Sequence, residues 1–207
     1  MQQVKSRIIY KITKRSFDLL LSFLGIVIIF PVIIFIAILI KLTSKGTIFY
    51  RGERTGLFGK SFRIFKFRTM IMNADLGAGT TSRNDVRVTS FGSTMRRYKL
   101  DELPQLFNVF LGDMSFVGPR PELERYTSQY QGKEKLILSV RPGITDFSSI
   151  KFSNLDDLID DDDPDASFAK NIFPEKIRLR LKYIYECNFW LDIKLILLTL
   201  RRLIGIK

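Results

Sequence analysis

The chain has 207 residues and carries 33 Lys and Arg against 21 Asp and Glu, a formal net charge of +12, with 46% of its residues apolar. This composition excludes wholesale disorder and points to a phosphate-bearing partner: nucleic acid, anionic lipid or a nucleotide. There is no histidine and one cysteine, Cys187, which removes Ser-His-Asp and Cys-His catalysis, histidine-bound metals, multi-cysteine zinc sites and an internal disulfide.

Leu19 to Ile40 is a run of 22 residues without a charge. As a helix it is about 33 Å long, enough to cross a hydrocarbon core of about 30 Å. A cleaved signal peptide would have a shorter apolar region and a small-residue cleavage site, whereas this run ends in Lys41-Leu42-Thr43. Both flanks are basic. Lys5, Arg7, Lys11, Lys14 and Arg15 precede the run against Asp18, and residues 41–68 hold eight Lys and Arg against Glu53. Each flank therefore favours the cytoplasmic side, which a straight spanning helix cannot satisfy. Pro31, near the middle, cannot donate its backbone bond, and its ring clashes with the carbonyl of Val27. A helix kinked there can enter the membrane and return to the same face; a kinked spanning helix is the alternative.

Thr47–Tyr50 and Phe62–Phe67 read as strands, joined by a glycine-punctuated turn over 51–60. Lys66 and Arg68 would share a strand face, which on pattern alone reads as a solvated cationic face. Residues 73–85 form a polar loop. Residues 86–110 read mainly as helix, with Leu100, Leu103, Phe107 and Phe110 on a core face. Residues 112–121 read as turn, short strand and extended chain, and Glu122–Val140 as helix up to the Arg141-Pro142-Gly143 turn. Seven aspartates crowd residues 156–165, a solvated loop or, on a sharper reading, a weak cation site. Pro174 opens a segment ambiguous between helix and strand. Asp192–Ile206 is a helix with Ile193, Ile196, Leu197, Leu200 and Ile204 on one face, suited equally to a membrane interface or to the domain core.

The sharpest chemical signal is Asp101-Glu102-Leu103-Pro104-Gln105. Proline is tolerated in the first turn of a helix, which puts Asp101 at or beside a helix N-terminus. The bland reading is an N-cap, worth about 1 kcal/mol. The chemical reading uses the same geometry. Free N–H groups and the positive end of the helix dipole keep Asp101 ionised and help to hold a diphosphate, whose phosphorus the carboxylate can attack. Mg²⁺ is the natural cation to separate the two negative groups, with Asp101 as its protein ligand. Arg96 lies five residues upstream. Arg120 stands between Pro119 and Pro121, so its guanidinium is presented from a stiff stem, and Arg141 precedes a Pro-Gly.

At these residues the sequence resembles the bacterial sugar transferases, polyprenyl-phosphate phosphoglycosyl transferases of the monotopic kind. The ordered motifs are Lys14-Arg15-Ser16-Phe17-Asp18, Lys66-Phe67-Arg68-Thr69-Met70, Leu100 to Val109, Gly112 to Pro121 and Arg141 to Thr145, and the resemblance as a whole covers nearly the whole chain. The resemblance implies a mostly helical α/β fold with a small β-hairpin or mixed sheet. It implies a membrane-embedded, re-entrant helix over 1–45 and a catalytic domain over 46–207 on the cytoplasmic face, with interfacial amphipathic helices. The implied reaction moves a sugar 1-phosphate from a UDP-sugar to undecaprenyl phosphate and releases UMP, through a phosphoryl-aspartate and with Mg²⁺. Carried over by position, Asp101 is the nucleophile and Glu102 its acid/base or positioning partner. Lys66, Arg96, Gln105, Pro119, Arg120 and Arg141 are the substrate-binding residues. Membrane lipid is an expected partner, nucleic acid is not, and a homo-oligomer is left open. The chain departs from the family's commonest pattern at Asp146-Phe147-Ser148-Ser149-Ile150, at Arg180, where many members have aspartate, and in the aspartate-rich loop. The donor sugar is therefore not implied. A basic nucleic-acid binder and a structural anchor docking a partner through its last helix remain the rival classes.

Overall fold

The structure is a computed structural model that describes residues 2–72, 74, 85–159 and 162–203, with the backbone alone for residues 2–7, 156 and 157. Most of the polar loop at 73–85, part of the aspartate-rich stretch and the chain end at 204–207 lie outside the described residues. The fold is mostly helical with small sheets and one long apolar N-terminal helix.

That helix, α1, runs from Gln2 to Thr43, about 63 Å, with Pro31 inside it. The backbone stays helical on both sides of the proline. At the far end the Thr43 and Ser44 hydroxyls donate to the Leu39 and Ile40 carbonyls, and the Ser44 amide also donates to Ile40. The helix lies along the rest of the chain over almost its whole length. Tyr10 and Lys14 donate to Asp192 at 2.8 and 2.7 Å. Arg15 donates to the Val109 and Phe110 carbonyls, and Asp18 accepts from the Phe116 amide. Beyond Pro31, the buried Ile33, Ile36 and Ile40 pack with Phe67 and Met95. Each such buried side chain stabilises the fold by about 1.5–3 kcal/mol. The opposite face is a bare apolar stripe that includes Leu20, Phe23, Ile28, Phe35 and Leu42.

Among the described residues the β segments form three separate two-stranded sheets, so the expected hairpin is present and a single mixed sheet is not. β1 (Phe49–Tyr50) pairs antiparallel with β4 (Lys66–Phe67) around an inner hairpin of β2 (Glu53–Thr55) and β3 (Ser61–Arg63). The helix expected over 86–110 is broken into α2 (Ser90–Arg97), a 3-10 turn and α3 (Gln105–Leu111). β5 (Ser115–Val117) pairs in parallel with β6 (Gly143–Thr145). Gly118 and Gly143 lie close here: a Cβ on Gly143 would run into the Gly118 backbone, and one on Gly118 into the Arg141 carbonyl. The long helix expected over 122–140 is only α4 (Glu124–Thr127) followed by 3-10 turns over Gly132–Ser139. α5 (Phe147–Lys151) is capped by Asp146. α6 (Pro164–Ser167) leads through a π-helical turn into α7 (Phe173–Glu186), which resolves the helix-or-strand ambiguity after Pro174. α8 (Phe189–Leu203) divides its apolar residues between two roles: Leu195 is buried with Val117 and Tyr183, whereas Leu197, Leu200 and Leu203 are exposed.

Candidate active site

Asp101 and Glu102 share the 3-10 turn Leu100–Glu102 between α2 and α3. Lys99, just before it, adopts a left-handed conformation with φ 56°, which ends α2 and swings the carboxylates out of its line. Pro104 occupies the N-cap of α3, and Asp101 makes no capping hydrogen bond, so the N-cap reading is replaced. The carboxylates stand in front of α3 rather than on it.

Three other elements converge on them. Lys66, on β4, places its Nζ 3.0 Å from Glu102 Oε1 and 3.7 Å from Asp101 Oδ2. Arg120, beyond β5, donates from Nη1 to Glu102 Oε2 at 3.1 Å and from Nη2 to Glu102 Oε1, a two-pronged grip. Its Nη1 also reaches the Ile144 carbonyl on β6 at 3.4 Å. Arg96, in the last turn of α2, is tied through Nε to Thr69 Oγ1 at 2.9 Å, and its charge is felt at Asp101.

The two carboxyls experience opposite fields. Burial pushes both upward. At Glu102, Arg120 and Lys66 outweigh burial and hold the group well below the usual carboxylate range. At Asp101 burial prevails over Lys66, and the neighbouring Glu102 charge pushes the same way, so the group is raised. Adjacent carboxyls driven apart in this way take different roles. Both Glu102 oxygens are committed to cations. Asp101 is only 5% exposed, yet its Oδ1 has no hydrogen-bond partner. Four residues on, Gln105 is fully buried with both amide atoms unpartnered. Buried polar atoms are ordinarily satisfied. Ser115 Oγ, Ser149 Oγ and Arg180 Nε are also without hydrogen-bond partners, but the Asp101 oxygen and the two Gln105 amide atoms belong to the carboxylate turn and the helix that follows it, beside Lys66, and so mark where a ligand would bind. Among the described residues no three Asp, Glu, Cys or His side chains converge as a metal cage. The open Asp101 oxygen suits a hard cation that takes one carboxylate and fills its shell with phosphate oxygens and water.

Asn108 on α3 holds this frame together. Its Oδ1 accepts from the Phe65 amide at 2.7 Å, and its Nδ2 donates to the Arg63 carbonyl at 3.0 Å, which fixes the approach to Lys66. Pro119 is buried, and its carbonyl accepts from the Gly143 amide, so the stem of Arg120 is anchored to β6. Lys66 and Arg68 do not form a solvated cationic face. Lys66 turns to the carboxylates, and Arg68, 8% exposed, donates to Ser44 at the end of α1. Arg141 lies elsewhere. Its Nε donates to the Gly112 carbonyl at 2.8 Å, about 10 Å along α3 from Gln105, where the negative end of the helix attracts it beside Arg15. Sequence reasoning gave no role to Lys99, Thr69 or Asn108. The positive φ of Lys99 has no sequence signal, whereas Thr69 and Asn108 sit inside motifs already singled out.

The model of the bacterial sugar transferase family matches residues 9–205. A UDP-glucose:undecaprenyl-phosphate glucose-1-phosphate transferase of Xanthomonas campestris pv. campestris is 36% identical, over 96% of this chain and 40% of its own length. A UDP-N-acetylgalactosamine-undecaprenyl-phosphate N-acetylgalactosaminephosphotransferase of Aeromonas hydrophila is 33% identical, over 95% of this chain and 44% of its own. The uncharacterized sugar transferase EpsL of Bacillus subtilis (strain 168) is 35% identical, over 93% of this chain and 88% of its own. The chain thus spans less than half of the first two relatives and most of the third. With its motifs in order around one buried carboxylate pair, the chain belongs to the bacterial sugar transferase family.

Proposed function

We propose that this chain transfers a sugar 1-phosphate from a UDP-sugar to undecaprenyl phosphate, giving polyprenyl-diphosphate-sugar and UMP, as the first membrane step of surface polysaccharide or glycoconjugate synthesis. The observation that carries the reading is the single open oxygen of a buried aspartate ringed by cations. In the first step an Asp101 oxygen attacks the sugar-bearing phosphorus, the bond from that phosphorus to the bridging oxygen breaks, and UMP leaves with that oxygen. In the second, a phosphate oxygen of the acceptor attacks the same phosphorus and the Asp101–phosphorus bond breaks, which restores the carboxylate. Lys66 and Arg96, the cations whose charge bears most on Asp101, are suited to neutralise the transferred phosphoryl group. Glu102, held ionised between Arg120 and Lys66, is suited to positioning them rather than to carrying a proton. Mg²⁺, held by Asp101, would supply charge neutralisation toward the diphosphate. The relatives' names include both glucose and N-acetylgalactosamine donors at similar identity, so the donor class is a UDP-hexose, with the sugar itself to be found by assay.

The same reading makes the protein monotopic on the cytoplasmic face of the membrane, with residues 1–45 embedded and 46–207 catalytic. Support comes from contacts on both sides of Pro31 with one and the same domain, from Tyr10 to Ile40, about 45 Å along α1. A helix crossing the bilayer would carry one of those ends away from the domain. The bare apolar stripe of α1, with exposed Phe110, Leu111, Trp190 and Leu197, offers the surface to lipid. With Cys187→Ser as background, Thr13→Cys and Lys45→Cys should both react with an impermeant maleimide from the cytoplasmic side; opposite sidedness would refute the re-entrant reading.

Purified protein in detergent, given Mg²⁺, undecaprenyl phosphate and a panel of UDP-sugars, should release UMP with one or a few donors, and Asp101→Asn should not. Without acceptor, a burst of UMP no larger than the enzyme concentration should appear. Normal turnover by Asp101→Asn would remove the covalent step.

A further inference from the structure

Behind Arg120 lies a second buried ionic cluster that none of the chemistry above uses. Arg180, on α7, has no exposed surface. Its Nη2 donates to Glu122 Oε1 at 2.5 Å, its Nη1 to the Tyr130 hydroxyl at 3.3 Å, and its Nε stands 3.9 Å from Asp146 Oδ2. Lys176, one turn earlier on the same helix, reaches Glu122 Oε1 at 3.5 Å. The two carboxylates bracket Arg120. Asp146 accepts from the Arg120 backbone amide at 3.4 Å, and Glu122 sits two residues beyond it, across Pro121.

We infer that Arg180 is a positioning residue: by hydrogen-bonding Glu122 and pairing its charge with Asp146, to which its Nε makes no hydrogen bond, it fixes the stem from which Arg120 grips Glu102. The inference rests on the reading of Glu102 and Asp101 given above. Three features favour it over a role in folding alone. Taking a guanidinium wholly out of water is expensive, and an apolar side chain of similar volume would serve packing at least as well, so a merely structural role gives little reason for the charge. The planar guanidinium can face two acceptors from fixed directions, which an ammonium cannot. The segment it braces has few other ties: α7 is a separate helix, and between Pro119 and Glu122 the backbone bonds are those of Pro119 to Gly143, Arg120 to Asp146 and Glu122 to Thr55. Asp146 also caps α5, accepting from the Ser149 amide and the Ser148 hydroxyl, so it is held in place without Arg180; the link from Asp146 to Glu122 is not.

Two measurements test this, on Arg180→Met, Arg180→Lys and Glu122→Gln, each compared with wild type in detergent. The first does not depend on activity. Hydrogen exchange of the Gly118–Glu122 amides should accelerate in Arg180→Met, while the β1–β4 pair at Phe49–Phe67 keeps its protection; unchanged exchange at Gly118–Glu122 overturns the inference. The second is a double-mutant cycle on the rate of UMP release. Arg180→Met should lower kcat on the order of a hundredfold with little change in the KM for the UDP-sugar. In an Arg120→Ala background the same substitution should have almost no further effect, because its route to the site is already gone. Equal losses in both backgrounds mean that Arg180 acts through stability and refute the positioning role. Arg180→Lys, which keeps the charge without the fork, should fall between wild type and Arg180→Met. If Arg180→Met does not fold, Arg180→Lys and Glu122→Gln carry both comparisons. Should wild type release no UMP from any donor, the proposed function fails, while the exchange measurement still decides whether Arg180 braces the segment.

Discussion

Two buried charge clusters flank Arg120, and they are finished differently. In the one behind it, both oxygens of Asp146 are hydrogen-bonded and Glu122 is held by Arg180 and Lys176. In the one in front, Glu102 is equally well held, but Asp101 keeps an open oxygen and Gln105 an open amide. Both clusters carry the desolvation cost of buried charge; the rear one leaves Arg180 Nε without a hydrogen bond, 3.9 Å from the Asp146 carboxylate, whereas the front one leaves a carboxylate oxygen and a whole side-chain amide without partners. The cluster whose aspartate is fully hydrogen-bonded is a brace, and the one whose aspartate keeps an open oxygen is a site. Fractional burial does not separate them, because Asp101 and Asp146 are both buried; the hydrogen bonds to the two carboxylates do.

Asp101→Asn gives the largest expected effect and the sharpest break between the clusters. Activity should fall on the order of ten-thousandfold, as for loss of a nucleophile that acts in concert with its neighbours. Stability should move the other way. Because the folded protein raises the Asp101 carboxyl above its ordinary value, its ionised form at neutral pH costs folding free energy, and a neutral amide relieves that cost. Thermal unfolding should therefore show a Tm equal to or above wild type. A variant that loses activity together with several degrees of Tm would make Asp101 a structural residue.

Glu102→Gln comes next. It removes the charge that Arg120 and Lys66 share, so kcat should drop about a hundredfold while substrate affinity, read from product-inhibition by UMP, changes little. Arg120→Lys sharpens the point: it keeps one positive charge and loses the two-pronged grip, and should cost roughly as much in rate. Rates unchanged in both variants would leave Glu102 and Arg120 without a part in the chemistry.

How much of this could be read from the sequence follows from how local each feature is. The carboxylate pair, the Pro-Arg-Pro stem and the long apolar helix each lie within a short stretch, and their chemistry shows in residue type and spacing. The breaks at Lys99 and over 128–131 do not, because the partners beside them are far away in the chain: Leu100, next to Lys99, packs into the cluster of Ile33, Ile36, Ile40 and Phe67, and Tyr130 packs with Ile177. Lys66 and Arg68 show the same limit: a strand pattern sets them two apart, but the distant partners Glu102 and Ser44 decide where each side chain goes. The brace behind Arg120 joins residues 120, 122, 146, 176 and 180. The sequence marked Asp146 and Arg180 only as departures from a family pattern, with no sign that they answer one another.

The smallest effect tests the brace through pH. Burial works to raise the Glu122 carboxyl, but Lys176 and Arg180 together outweigh it and bring the group down from 4.5 to about 2. A carboxylate depressed in the folded state contributes stability that is fully present above its unfolded value and is lost as pH falls through the folded one. For Glu122 that window runs from about pH 4.5 to about pH 2, and the contribution above it is on the order of 3 kcal/mol. Glu122→Gln should therefore melt several degrees below wild type at pH 7, with both proteins in the same detergent. The gap should narrow steadily below pH 4.5 and nearly close by pH 2, because wild type loses there what the variant never had. The other depressed carboxylates, Glu102 among them, titrate in both proteins and cancel in the difference. A gap that persists unchanged to low pH would mean that the side chain's packing, not its charge, is what the fold uses, and Arg180 would then lack the anionic partner through which it braces Arg120.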